Sequence, residues 1–166
     1  EAKVLAEDGS EAPRGTMGRL AVRGPAGCRY LGGERQDEYV KDGWNITGDT
    51  FVHDEDGYFH FAARNDDIIV SAGYNIAGPE VEAALLRHEA VSECGVIGAP
   101  NEDRGQIVEA HIVLAPGHAP SDLLVKELQD YVKATIAPYK YPRSIKFVEA
   151  LPKTSTGKIQ RFRLQS

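Results

Sequence analysis

The chain has 166 residues, room for one ordinary domain or for a small domain with part of a second. Hydrophobic residues make up 42% and charged ones 27%, the make-up of a globular protein in water, and no apolar run approaches the ~20 residues that cross a bilayer. A formal net charge of -6 disfavours a nucleic-acid binder, which presents a basic face.

No basic, apolar and small-residue layout marks a signal peptide at the N-terminus. The sequence opens on Glu1 rather than Met, so the true N-terminus is expected to be missing; with so few cysteines, a reducing cytoplasm is the expected location. The two cysteines, Cys28 and Cys94, are too few and too far apart for a disulfide framework or a zinc site. Each reads as a small buried apolar residue. The five histidines show neither HxxxH nor HxH spacing, and no metal site is expected.

In chain order, the first stretch is β. Ala2–Ala6 is a short strand running into the turn pair Asp8-Gly9, and Leu20-Ala21-Val22 is a second strand closed by Gly24-Pro25. Glu34–Lys41 is expected to be a short helix stopped by Asp42-Gly43. After Trp44–Asp49, Phe51–His53 and Tyr58–Ala62 form a hairpin around the tight turn Asp54-Glu55-Asp56-Gly57. That turn is not a calcium loop, because its acids are consecutive and no alternating ligand series follows.

After Asp67 the pattern changes. Ile68–Ser71 is a short apolar strand, and Ala72–Asn75 is a Gly-containing loop. Gly78-Pro79-Glu80 opens a helix, with Pro at the first position and an acid in the first turn. Val81, Ala84, Leu85 and His88 share one face of it. Val91–Ile97 and Ile107–Leu114 are strands separated by the polar loop Asn101–Gly105. Ser121 is placed to cap a second helix whose stripe is Leu124, Leu128, Tyr131 and Val132, and Pro138 ends it. Ile145–Val148 is a last strand before a Ser/Thr/Gly loop and a basic end. The expected fold is α+β, a small sheet with packed helices over residues 67–166, preceded by a β-rich segment over 1–66.

Three segments carry chemistry. The first is Thr47-Gly48-Asp49, followed by Gly57-Tyr58 and Arg64-Asn65-Asp66-Asp67. The second is Ser71-Ala72-Gly73-Tyr74-Asn75-Ile76, leading to Pro79-Glu80-Val81-Glu82. The third runs from Leu151-Pro152-Lys153-Thr154 through Ser155-Thr156-Gly157-Lys158 to Ile159-Gln160-Arg161. Thr156-Gly157-Lys158 is not a P-loop, since that motif needs Gly where Pro152 stands and Ser or Thr where Ile159 stands. A Lys on such a loop delivers a point charge to phosphate or carboxylate oxygens; taken alone, it is a solvated surface Lys. A carboxylate such as Asp49 can accept the two hydroxyls of a ribose, and Arg64 can grip a phosphate with both arms of its fork. Alone they read as a capping Asp and a surface ion pair. Gly73 lets backbone approach a ligand closely or simply makes a turn.

Together, in this order and at this spacing, the segments resemble the last motifs of the adenylate-forming (AMP-binding) superfamily of acyl- and aryl-CoA synthetases, luciferases and peptide-synthetase adenylation domains. The resemblance runs from the start of the chain to its end. It implies that residues 1–66 are the β-rich end of a large N-terminal catalytic body and that 67–166 are its C-terminal lid. By the same resemblance Asp49 binds the ribose hydroxyls of ATP or AMP, and Arg64 contacts ribose or phosphate. Asp66 is the hinge, and the loop of Ser71, Gly73 and Tyr74 lines the pantetheine tunnel of CoA. Lys133 lies near where some relatives place a basic residue for the CoA phosphate. Lys158 bridges carboxylate and α-phosphate while acyl-AMP forms, and acetylation would remove the charge on which that role depends.

The upstream phosphate loop and the nucleotide motif whose Glu serves Mg2+ do not occur here, so Mg2+ belongs to the missing part. The acyl pocket is missing too, and the chain alone is expected not to adenylate. The run Ser71–Glu82 with Glu93-Cys94-Gly95-Val96-Ile97-Gly98 is most similar to benzoate- and 2-aminobenzoate-CoA ligases. Medium-chain acyl-CoA and acetyl-CoA synthetases, and peptide-synthetase adenylation domains, are the alternatives within the class. A binding module that kept the fold and lost the reaction is the alternative outside it. Expected partners are a small carboxylic acid, CoA and the missing N-terminal domain, without nucleic acid or a membrane span; homo-oligomerisation stays open.

Overall fold

Two five-stranded sheets organise the described residues, each in its own unit. The computed structural model describes residues 1–25 and 39–165. It divides into Glu1–Asp66 and Asp67–Ser166. Among the described residues no helix is long and apolar enough to cross a membrane.

The first unit is an antiparallel sheet built around one long strand. Its strands are β1 (Ala2–Leu5), β2 (Met17–Val22), β3 (Val40–Lys41), β4 (Trp44–His53) and β5 (Phe59–Arg64). β2 pairs with one edge of β4, while β3 and β5 lie end to end along the other. Leu5, Ala21 and Ile46 form its apolar cluster, with Trp44 packed against them. The expected helix Glu34–Lys41 lies largely outside the described residues, and its last two residues are a strand. The reason is local. Asp42 (φ 52°) and Gly43 (φ 78°) both adopt positive φ, the pattern of a type I′ turn, so the chain reverses into a hairpin instead of ending a helix.

The second unit bears out the α+β expectation. Its elements are β6 (Ile68–Ser71), β7 (Tyr74–Ala77), α1 (Gly78–Leu85), β8 (Val91–Asn101), β9 (Gly105–Leu114), α2 (Asp122–Thr135) and β10 (Ser144–Phe147). The expected loop over Ala72–Asn75 is half strand. Ala72 (φ 49°) and Gly73 (φ 81°) make a two-residue turn, which returns the chain at once as β7. β9 pairs along its whole length with β8, antiparallel; its other edge takes β10 in parallel and touches β6 at Gly105.

Strand alternation splits the two faces of this sheet. Cys94, Val96, Val108, Ala110 and Ile112 join Val81 and Leu85 of α1 and Leu124, Leu128 and Val132 of α2 in the main core. Ser121 caps α2 as expected, its hydroxyl accepting the Leu124 amide at 3.1 Å. On the opposite face Ile97 packs with Leu151 and Leu164 of the C-terminal segment. Gly95 makes this possible, since a Cβ there would stand 3.0 Å from Leu164 Cδ1 and 3.5 Å from Ile159 Cγ2.

Glu109 and His111 sit in register with Ile97 and Gly95 and are buried. Burial pushes the Glu109 carboxyl up, but it is outweighed by Lys146 Nζ at 2.9 Å, the Ser144 hydroxyl at 2.8 Å and His111 Nε2 at 3.0 Å. The net effect holds Glu109 below the ordinary carboxylate range. A depressed folded-state value means that its contribution to stability is complete above the ordinary value and is lost as pH falls through the lower one. Glu109→Gln should therefore flatten the acid limb of the second unit's stability curve. Urea unfolding followed by far-UV circular dichroism reads it, because both described α-helices lie in that unit. An unchanged acid slope would refute the assignment.

Candidate functional site

In the first unit, β4 and β5 place Asp49 opposite Arg64 in register. Arg64 Nε lies 3.4 Å from Asp49 Oδ1, with the two side chains 63% and 40% exposed. Such an open pair is worth only ~0–1 kcal/mol, so both groups can turn to a ligand at little cost. Gly48 leaves room for the guanidinium, since a Cβ there would stand 3.2 Å from Arg64 Nη2. Asp66 follows, exposed, in the 3-10 turn Asn65–Asp67 and is the last residue of this unit.

The second unit gathers the Ser71–Tyr74 turn and an aromatic, basic segment. Ser71 is buried, and its hydroxyl accepts from Arg104 Nε at 3.4 Å. Gly73 is exposed at the tip of the turn. Tyr74 stacks on Tyr139, ring centroids 4.5 Å apart. Tyr139 belongs to the 3-10 turn Pro138–Lys140, and Lys140 Nζ binds both oxygens of Glu80 at 2.6 Å. Lys133 reaches the far side of the same segment, 4.4 Å over the Tyr141 ring, and pairs with Asp130 at 3.0 Å. Thus Tyr74 and Lys133 meet one short stretch of chain, a relation absent from their sequence spacing.

Lys158 stands apart from these. Its loop is a small hydrogen-bonded structure: Lys153 and Ile159 form an antiparallel bridge, and the Thr154 amide donates to Lys158 O at 2.8 Å. The Lys158 amide donates in turn to Thr154 Oγ1 at 3.1 Å. Lys126, Lys133, Lys140, Lys146 and Lys153 each pair with a carboxylate. Lys158, the sixth lysine of the unit, is exposed and has no ion pair among the described residues. An ammonium held on an ordered loop without an internal counter-charge can neutralise an incoming or developing anion.

Two charged residues lie inside the motif segments without a role assigned to them there. Glu82, on the inner side of α1, is buried and grips Arg161 with both oxygens, at 3.0 and 2.7 Å. Arg161 also reaches Asp67 at 3.1 Å. Burial works against the Arg161 charge, but Glu82 and then Asp67 more than offset it and raise its affinity for the proton. The available signal was an acid set between Val81 and Ala84 on an otherwise apolar face; its partner, 79 positions away, had none.

Residues 80–158 match the family model described as the AMP-binding enzyme C-terminal domain. An uncharacterized acyl-CoA ligase of Bacillus subtilis (strain 168), YtcI, is 46% identical over 169 residues, covering 99% of this chain and 32% of the relative. The mitochondrial acyl-coenzyme A synthetase ACSM3 of Mus musculus is 42% identical over 174 residues, covering 99% and 30%. Among solved structures, the anthranilate CoA ligase AuaEII in complex with anthranoyl-AMP superposes with a TM-score of 0.83 at 38% identity, over 99% of this chain and 32% of that one. The chain spans just under a third of the length of these relatives.

The turn that presents Gly73 can be tested alone. An L-residue in the left-handed region costs about 1–2 kcal/mol, and Asn tolerates it best after Gly. Gly73→Val should destabilise the second unit by about that amount, whereas Ala72→Asn should be neutral or stabilise it by up to ~1 kcal/mol. Urea midpoints of the two variants check this; equal losses would mean that the turn does not hold both residues at positive φ.

Proposed function

We propose that this chain, whose residues 80–158 match the AMP-binding enzyme C-terminal domain model, is the C-terminal part of an ATP-dependent carboxylic acid–CoA ligase. The observation that carries the reading is the ammonium of Lys158 on its ordered loop, without an ion pair among the described residues, in a unit whose other five lysines are paired. On this reading residues 1–66 close a larger catalytic body and 67–166 form its lid. In the first half-reaction a carboxylate oxygen bonds to the α-phosphorus of ATP and pyrophosphate leaves. Lys158 offsets the charge that builds on the carboxylate and phosphate oxygens, while Asp49 and Arg64 hold the ribose and phosphate. The lid then pivots at Asp66, and Ser71, Gly73 and Tyr74 guide the pantetheine arm, with Lys133 towards the CoA phosphate. The thiol sulfur bonds to the acyl carbon, its proton is lost and AMP leaves.

Magnesium, which this chemistry uses with ATP, does not fit the described residues. Among the described residues no group of three or more His, Cys, Asp or Glu could hold a metal ion. It is assigned to the body. An aryl acid such as benzoate or 2-aminobenzoate is the proposed substrate, supported by the 38% identity to the anthranilate ligase. An aliphatic acyl substrate is the second reading, since identity to proteins named only as acyl-CoA ligases and synthetases is higher, at 46% and 42%. The proposed location is the cytoplasm, although one of these relatives is named as mitochondrial.

Lys158→Ala in the full-length ligase separates the two half-reactions. Acid-dependent pyrophosphate exchange should fall about 10²–10³-fold, the cost of deleting one preorganised stabiliser of an oxyanion. Preformed acyl-AMP should still yield acyl-CoA near the parental rate. Exchange that persists in the variant would disprove the role of Lys158. Comparing benzoate and 2-aminobenzoate with octanoate and acetate in the parental enzyme decides between the two substrate readings.

A further inference from the structure

Arg161 lies three residues beyond Lys158 and opens the 3-10 turn Arg161–Leu164. Its guanidinium spends three nitrogens on two carboxylates of the same unit: Nε and Nη2 on Glu82, at 3.0 and 2.7 Å, and Nη1 on Asp67 at 3.1 Å. Glu82 is itself fixed, because its Oε1 accepts the Val96 amide of β8 at 2.9 Å. The side chains of Arg161, Asp67 and Glu82 are only 22%, 18% and 10% exposed. One residue of the tail is therefore fastened at once to α1, through Glu82 to β8, and to the first residue of the second unit.

The other contacts of the tail constrain the Lys158 loop differently. The Lys153–Ile159 bridge and the Gln160 amide on Pro152 O, at 2.8 Å, fix the shape of the loop but not where it points. Leu151, Ile159 and Leu164 hold it down on Ile97 and Gly95 through apolar contact, which is non-directional. Lys153 binds Glu93 at 2.7 Å, yet by one contact between two side chains more than a third exposed. A planar fork against two carboxylates, one of them held by the Val96 amide, is the directional tie.

We propose that Arg161 is a positioning residue: it locks the Lys158 loop to Asp67, so that the lysine keeps one direction relative to the first residue of its own unit. Arg161 touches no substrate and acts through the loop. The inference rests on the reading of Lys158 as the adenylation lysine, and its test keeps the two apart.

The experiment uses the full-length ligase with Lys158→Ala, Arg161→Ala, Arg161→Lys and Asp67→Asn. Pyrophosphate exchange and thioester formation from preformed acyl-AMP are measured separately. Hydrogen–deuterium exchange is followed over residues 153–160 and over β9. Arg161→Ala should lower the kcat of pyrophosphate exchange about 10- to 100-fold, since ~1 Å of misplacement is worth about 100-fold. Thioester formation should change far less, and amide protection should drop over 153–160 but not in β9. Arg161→Lys should not rescue, because an ammonium lacks the fork. Asp67→Asn keeps the Glu82 contacts and should lose exchange activity in the same direction by a smaller factor. Equal losses in both half-reactions, with β9 deprotected, would reduce Arg161 to a stability residue and overturn the proposal. Should Arg161→Ala not fold, Asp67→Asn decides: parental exchange activity in it overturns the proposal. If Lys158→Ala itself leaves exchange near parental, it is the underlying reading that fails.

Discussion

Ten residue pairs join β8 to β9, from Val91 against Leu114 to Asn101 against Gly105, and this ladder decides which of their side chains face each side of the sheet. Because side chains alternate, it sends Cys94, Val96, Val108, Ala110 and Ile112 to the helices and leaves Gly95, Ile97, Glu109 and His111 for the C-terminal segment. A slip of one residue would exchange the two sets. Glu109 and His111 would then face an apolar core, and the tail would lose the groove over Gly95. The register is thus fixed from both sides, by a dry core and by a segment that needs a missing side chain. Lys158 gets its place from this arrangement, since Leu151, Ile159 and Leu164 seat the tail on that face.

Charge is placed by the same logic. A buried carboxylate costs several kcal/mol unless its lone pairs are filled. Glu82 fills them with the Val96 amide and the Arg161 fork, and Glu109 with Lys146, Ser144 and His111. Removing one partner from such a group leaves the other charge stranded, so these clusters resist rearrangement and serve to fix geometry. Asp49 and Arg64 are the opposite case: one long, open contact in the first unit, easily exchanged for a ligand. Cys94 belongs with the fixed groups. Burial first, and Glu82 second, push its thiol up against an opposing pull from Arg161, which leaves an unreactive packing residue.

What the sequence reveals follows from how local each signal is. α2 is legible because Ser121, the stripe Leu124, Leu128 and Val132 and the stop at Pro138 all lie within one helical window. α1 is legible from Pro79 and Glu80. The hairpin at Ala72-Gly73 is hidden by Ala in a place where Asn or Gly would have announced the turn. At Asp42-Gly43 the turn signal is strong, but the strand before it has only two residues, too few to show alternation. The parallel pairing of β10 with β9 and the 94-residue span from Asp67 to Arg161 leave no local trace, because they exist only once the chain has folded. The three motif segments were readable as chemistry; the ties that hold them were not.

Exposure alone says little about Lys158, since surface lysines are common and Lys126 is 74% exposed in the same unit. The difference is in what each charge already does. Lys126 and Lys133 bracket Asp130, Lys140 holds Glu80, Lys146 helps to hold the buried Glu109, and Lys153 ties the tail to Glu93. Drawing any of these to an anionic ligand would leave a carboxylate without its partner, a cost that grows with burial and is steepest at Glu109. Lys158 carries no such obligation among the described residues, and its backbone is anchored by the Thr154 hydrogen bonds while its side chain is not. It can be given to a phosphate and taken back without disturbing the unit. On the proposed reading, a charge that serves one half-reaction and leaves before the next has to be free in that sense, with the Arg161 fork on Glu82 and Asp67 as the fixed frame beside it.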